Sequence, residues 1–259
     1  MKNGYIAGAD YIRFGKGPRV LVMLPGLGDG LRTVKGTAAP MAWMYRMFAG
    51  DFTVYMFSRK NELREGHTTR DMARDLVEAM DALGIEKADV LGVSMGGMIA
   101  QWLAIDFPDR VNKLILAVTW SRPTPILEDS IGEWMEQAKR GDHRALMDSN
   151  LRKIYSEKYY RQNKWIIPIL GTVTKPRDYG RFLIQSAACL THDAWEAVKC
   201  IQAPTLVIGG RKDEALGGDA SVELAGRIPG ASLKMYDQWG HGLYEEAGDF
   251  NGVVKDFLG

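Results

Sequence analysis

One serine in this chain stands inside a run of glycines, in LGVSMGGMIA at residues 91–100. Ser94 has Gly92 before it and Gly96 and Gly97 after it. Glycine is unfavourable inside regular structure by roughly 0.5–1 kcal/mol relative to alanine, so the crowding implies an unusual backbone angle or a very close approach. A serine hydroxyl becomes a nucleophile when a base takes its proton and an acid orients that base. Gly92-Val93-Ser94-Met95-Gly96 fits G-x-S-x-G, the turn that carries a serine from a strand into the first turn of a helix. Any side chain at Gly92 or Gly96 is expected to collide across that turn. The free N–H groups of the helix N-terminus would face an oxyanion formed at the serine.

In this arrangement the partners follow in the order Ser, Asp or Glu, His. Four histidines are available. His67 precedes Ser94 and has the wrong order. His143 and His192 fall in or beside a helix-rich segment and read as solvated residues on helical surfaces. His241, in QWGHGLYEE, lies between Gly240 and Gly242 after the last strand-like run, where a short loop can bring an imidazole to the serine. The acid is expected just beyond the preceding strand, in TLVIGGRKDEA, where Asp213 is preferred over the adjacent Glu214 and the more distant Asp219. A second oxyanion donor is expected from the loop PGLGDG at 25–30, with the N–H of Leu27 facing that of Met95. Each such donor contributes about 10²–10³ in turnover.

These segments need a frame that brings them together. The runs at 20–24, 52–58, 88–93, 113–119, 205–210 and 232–237 are short, β-branched and mostly apolar, as expected of strands covered on both faces. Helical stretches lie between them, the clearest being TTRDMARDLVEAMDALGI at 68–85. There Thr68 is placed to cap the N-terminus with Asp71, and Met72, Leu76, Ala79, Met80 and Leu83 form one apolar stripe that Gly84 ends. The fold class expected is α/β, a mostly parallel central sheet with helices on both faces. Residues 121–190 break the rhythm with four successive helical segments, 126–141, 143–156, 157–170 and 177–190. The domain reading is therefore a core of 1–120 and 191–259 with a helical cap inserted at 121–190.

Composition narrows the function classes. With 33 basic and 32 acidic residues the net charge is +1, and neither sign forms a block, so binding to nucleic acid or to an anionic membrane has no electrostatic support. No stretch approaches the ~18 apolar residues of a membrane span, and MKNGYIAGADYIRFG lacks the apolar core of a secretory signal. The expectation is a cytoplasmic protein whose partner is a small-molecule ester; a homodimer is compatible with it. Cys189 and Cys200 read as two reduced, buried thiols rather than a disulfide, and neither has metal-ligand spacing.

With Ser94, Asp213 and His241 placed, the chain resembles the α/β-hydrolase family over nearly its whole length. The resemblance rests on the oxyanion loop, GVSMGGMIAQWLA, FPDRVNKLIL, the helical cap, PTLVIGGRKD and GHGLYEEAGDFNGVVKDFL. It implies an acyl-serine intermediate and no cofactor or metal. The SMGG form is similar to that of enol-lactonases, haloperoxidase-like esterases and C–C bond hydrolases. Two departures stand out. Pro25 replaces the histidine usual before the oxyanion-loop glycine, and FSRKNELREGHTT replaces the common Asp-x-x-Gly-x-Gly pattern, so Ser58 and Arg59 are expected to line one pocket wall. Gly26, Trp120, Trp165 and Phe182 are expected to contact substrate as well, and the cap aromatics, with Trp134 and Tyr159, suggest an apolar or aromatic substrate moiety. The expected reaction is hydrolysis of a carboxylic ester. A lactonase, a C–C bond hydrolase and a slow-turnover small-molecule receptor are the rival readings.

Overall fold

The apolar runs at 21–24, 88–93 and 205–210 are buried without interruption, because each strand is covered on both faces. The structure is a computed structural model that describes residues 1–259, apart from the side chains of Leu170 and Val173. Among the described residues, the strands are β1 (Lys2–Ile6), β2 (Ala9–Gly15), β3 (Arg19–Leu24), β4 (Phe52–Lys60), β5 (Ala88–Val93), β6 (Val111–Ala117), β7 (Thr205–Gly210) and β8 (Ser232–Tyr236). They form one eight-stranded sheet in the order β1-β2-β4-β3-β5-β6-β7-β8. The six strands from β4 to β8 are parallel, as expected. β1 and β2 pair antiparallel at one edge and were not anticipated from the sequence. Polar residues interrupt β1, and its burial is slight, so it lacks the apolar run that marked the others.

Helices α1 (Ala38–Met44), α2 (Thr69–Ala82) and α3 (Met95–Asp106) connect the first parallel strands. Between β6 and β7 come α4 (Pro125–Lys139), α5 (His143–Ile154), α6 (Glu157–Asn163), α7 (Ile167–Val173) and α8 (Gly180–Leu190), the helices of the cap region. The chain closes with α9 (Ala220–Arg227), α10 (Leu243–Glu246) and α11 (Phe250–Leu258). Alternate residues of each central strand face opposite layers. Val22, Leu24 and Val90 join Met72, Leu76, Met98 and Leu103 of α2 and α3 in one core. Leu21, Met23 and Leu91 join Phe48, Phe250 and Val254 in the other.

Helix α2 shows how the sequence sets an element. Thr68 Oγ1 accepts from the N–H of Asp71 at 3.1 Å, and the Thr68 N–H donates back to the Asp71 carboxylate at 3.1 Å. A cap of this kind stabilises a helix by about 1 kcal/mol. Met72, Leu76, Ala79 and Met80 are buried along one face, and Gly84 takes φ +68° to end the turn. The expected helix at 157–170 is two helices instead. α6 stops at Asn163, a 3₁₀ turn covers Lys164–Ile166, and α7 restarts with Pro168 in its first turn, where a missing N–H costs nothing. The cap's two ends meet where the Ala194 N–H donates to the Ser121 carbonyl at 2.7 Å. Among the described residues, no helix is long and apolar enough to cross a membrane.

Candidate active site

β5 delivers Ser94 to the N-terminus of α3 through a strained turn. Ser94 has φ 54° and ψ −122°, a conformation L side chains rarely adopt. Its N–H donates to the Ala117 carbonyl at 2.9 Å, and its carbonyl accepts from Thr119 Oγ1 at 2.8 Å, so the end of β6 and the residues just beyond it fix both sides of the serine. The flanking glycines are there for close approach, as expected. A Cβ at Gly96 would lie 2.0 Å from the Leu24 carbonyl oxygen, and one at Gly92 would lie 2.6 Å from that of Gly96. Gly97 has the same role against Thr119, whose side chain would stand 2.6 Å from an added Cβ.

His241 follows β8 on the short loop before α10, and Asp213 follows β7, so both reach the serine from the carboxyl ends of strands. His241 Nε2 stands 3.0 Å from Ser94 Oγ, and Nδ1 stands 2.8 Å from Asp213 Oδ2. The other carboxylate oxygen of Asp213 accepts from the N–H groups of Ala215 and Leu216, each at 2.9 Å. Asp213 is an acceptor on every side, so Nδ1 carries the imidazole proton and Nε2 is left to accept from the serine hydroxyl. Leu27 and Met95 are each the first residue of a helical turn, whose N–H groups have no acceptor within their own helix. The loop bearing Leu27 packs on the serine, since a Cβ at Gly26 would lie 3.3 Å from Ser94 Cβ.

Arg59 does not line a pocket wall. It sits buried behind the loop, where Nη2 donates to the carbonyls of Pro25 at 2.6 Å and Gly26 at 3.2 Å. The Arg59 N–H donates to Asp29 Oδ2 at 3.2 Å, and Arg181 of α8 donates to the carbonyl and carboxylate of the same Asp29. Burial pushes the Arg59 pKa down while Asp29 beside it opposes the shift. The loop that lacks the usual histidine is thus braced from behind by a guanidinium. Ser58 is also behind the loop, accepting from the Val34 N–H at 2.9 Å. As neighbours on β4 the two side chains leave on opposite faces, and both are buried away from the cavity beside Ser94.

A cavity of about 320 Å³ opens beside Ser94 and His241, with Gly26 in its wall. Trp120, Trp165 and Phe182, expected as substrate contacts, do not line it. Trp120 and Phe182 are core residues, and Trp165 is 69% exposed on a separate groove of the cap. Apolar character alone cannot say which way an aromatic ring points. The cavity is lined instead by Met41, Met44, Trp134, Tyr155, Tyr244 and Glu245, among others. Trp134 is the one cap aromatic of the sequence reading that reaches it. Tyr155 has no motif around it and Glu245 has no role of its own in the stretch that carries His241, and only the docking of the end of α5 on α10 brings them together.

The remaining histidines are not solvated. His192 is 1% exposed and His143 is 2% exposed. Thr69 Oγ1 lies 2.9 Å from His192 Nδ1, and Gln101 Oε1 lies 3.3 Å from Nε2. Burial lowers the His192 pKa to about 3, against a smaller opposing effect of the Trp120 backbone. His67 stands 2.7 Å from Asp75 on α2. Cys189 is buried and Cys200 exposed, both as free thiols, so the expectation of two buried thiols holds for the first alone.

The family described as alpha/beta hydrolase fold matches residues 19–248. The chain is 31% identical over 210 residues to the protein named "Putative carbamate hydrolase RutD" of Caulobacter sp. (strain K31), covering 76% of this chain and 74% of that one. It is 29% identical over 250 residues to 2-hydroxymuconate semialdehyde hydrolase of Pseudomonas sp. (strain CF600), covering 92% and 86%. Its backbone superposes on the enol-lactonase of Burkholderia xenovorans LB400 with a TM-score of 0.81 at 24% identity, over 99% of each chain. The sheet order, the strained serine turn and the match over most of its length establish that this chain belongs to the alpha/beta hydrolase fold family.

Proposed function

We propose that this hydrolase cleaves carboxylic esters through an acyl-serine intermediate. The reading is carried by the continuous line from Ser94 Oγ to His241 Nε2 at 3.0 Å and from Nδ1 to Asp213 at 2.8 Å. Ser94 Oγ attacks the ester carbonyl while Nε2 takes its proton. Asp213 holds the ring in the required tautomer and stabilises the imidazolium. The Leu27 and Met95 N–H groups receive the negative charge on the carbonyl oxygen. Collapse of that adduct expels the alcohol, which takes the proton back from Nε2, and water repeats the sequence to release the acid and free serine. The cavity of about 320 Å³ is at the small end of ligand sites, about 300–1,000 Å³, and fits a small or medium substrate.

Replacing Ser94 with alanine is expected to lower kcat by about 10⁶ and to abolish labelling by a fluorophosphonate probe. A folded Ser94→Ala protein that keeps its esterase activity would overturn the reading. The names of the relatives favour a second possibility, that the same line of groups cleaves a lactone, a carbamate or a C–C bond. Comparing kcat/KM over aryl esters, lactones, carbamates and vinylogous diketones ranks these. A rapid acylation burst followed by a stalled second step would favour the slow receptor.

A further inference from the structure

A second carboxyl group faces the Ser94 cavity. Glu245 lies four residues after His241, on α10, and lines the same cavity. Tyr155, from the end of α5, donates its hydroxyl to Glu245 Oε2 at 2.7 Å. The neighbouring Glu246 turns away to accept from the Ser156 hydroxyl at 2.5 Å and the Ser156 N–H at 2.9 Å. Among the described residues, Glu245 Oε1 accepts no hydrogen bond and no lysine or arginine lines the cavity. Asp29, the other carboxylate at the wall, is enclosed and already paired with Arg59 and Arg181.

Glu245 is an exposed residue that also forms part of the lining of the Ser94 cavity. Desolvation, and then Glu246, raise its pKa, while the Tyr155 hydroxyl pulls the other way. With Oε1 unpaired, the carboxylate is open to a cation that enters the cavity. Around it stand the rings of Tyr45, Tyr155 and Tyr244 at the cavity wall, with Tyr159 stacked on Tyr155 at 4.3 Å between ring centroids. A carboxylate acceptor among tyrosine side chains is chemistry that receives an ammonium group, by charge and by attraction of a cation to aromatic rings. A substrate bearing its own carboxylate would find repulsion there and no counter-charge.

We propose that Glu245, held by Tyr155, selects substrates whose far end carries an ammonium group over those ending in a carboxylate. This rests on the reading of the Ser94 cavity as the substrate site, and it names the class of ester that site takes. The site would accept amino esters, with the ester carbonyl at Ser94 and the cation at Oε1. That specificity differs from what the names of the relatives bring to mind, since 2-hydroxymuconate semialdehyde carries a carboxylate.

The test uses three aryl esters of matched acyl length, ending in trimethylammonium, tert-butyl or carboxylate. Their affinities are measured by calorimetry on the full-length Ser94→Ala protein, so that the result does not depend on turnover. The ammonium ester is expected to bind about tenfold tighter than the tert-butyl ester, and the carboxylate ester weakest. Adding Glu245→Gln should bring the ammonium-to-tert-butyl ratio close to one, and Tyr155→Phe should lower it by a smaller factor. A ratio below about threefold in the Ser94→Ala protein overturns the proposal, as does a carboxylate ester that binds best or a ratio that survives Glu245→Gln. If Glu245→Gln fails to fold, the three affinities in the Ser94→Ala protein decide alone. Failure of the serine-hydrolase reading has a separate signature: the wild type turns over none of the three while the binding ratio stands.

Discussion

Two buried histidines in this molecule are held in nearly the same way and have opposite chemical prospects. His241 is 4% exposed and His192 is 1% exposed. Each ring has a hydroxyl on one nitrogen, Ser94 for His241 and Thr69 for His192. The other nitrogen faces a carboxylate in the first case and an uncharged amide oxygen, that of Gln101, in the second. Gln101 Nε2 is committed to the Trp120 carbonyl at 2.8 Å, so its oxygen faces the ring and Nε2 of His192 carries the proton. The Thr69 hydroxyl then donates to an imidazole that burial keeps neutral down to about pH 3. A hydroxyl beside an imidazole is therefore not enough to make a nucleophile. The ring must be able to become a cation, which needs the carboxylate of Asp213, and the hydroxyl must face a cavity, which Ser94 does.

The largest expected effect comes from making His241 resemble His192. In an Asp213→Asn variant the side-chain oxygen is still required by the N–H groups of Ala215 and Leu216, so the amide NH₂ turns to the ring. Nδ1 must then accept, Nε2 carries the proton, and the serine loses its base. We expect kcat to fall by about 10⁴ with the fold intact, read by steady-state kinetics on the best ester. A fall of less than about a hundredfold would mean that Asp213 does not set the tautomer.

A smaller effect tests the sealed ring. Because the folded state holds the His192 pKa at about 3, the unfolded chain takes up a proton near pH 6.5 that the folded chain refuses. Its stabilising contribution is complete above about pH 6.5 and is lost as pH falls toward 3. Buried His143, whose pKa is also lowered by burial and by Lys175, acts in the same direction. Urea unfolding should show about 2 kcal/mol lost through His192 between pH 7 and 5. In His192→Asn the slope of stability against pH should flatten by that amount, whatever its stability at pH 7, and activity per folded molecule should change by less than about threefold. An unchanged slope would mean the ring titrates normally.

The smallest effect concerns the brace behind the oxyanion loop. Lysine at 59 keeps the charge but not the planar guanidinium whose Nη2 bonds the Pro25 and Gly26 carbonyls while Nη1 stands 3.7 Å from Asp29. For Arg59→Lys we expect kcat to fall by about tenfold with KM within about twofold, since the loop N–H acts on the transition state. A change in KM alone would assign Arg59 to the pocket wall after all.

The sequence determined what neighbouring residues can dictate. The glycines around Ser94 announce a tight turn, and for Gly92 the clash avoided is with Gly96 and Gly97 of that same turn, whereas Gly96 and Gly97 make room for Leu24 and Thr119 from other segments. Thr68 and Asp71 cap α2 by bonds three residues apart, and the order of Ser94, Asp213 and His241 along the chain follows from loops at the ends of apolar strands. Tertiary structure decided everything that depends on which face meets which neighbour. It buried His143 and His192, sent Arg59 behind the loop instead of into the pocket, and left Trp165 exposed while Trp134 reached the cavity. It also joined Tyr155 to Glu245, ninety positions apart, through the docking of the cap on the last loop. Backbone geometry is written in a few adjacent residues, whereas the direction and partner of a long side chain are set by packing between segments that the sequence keeps far apart.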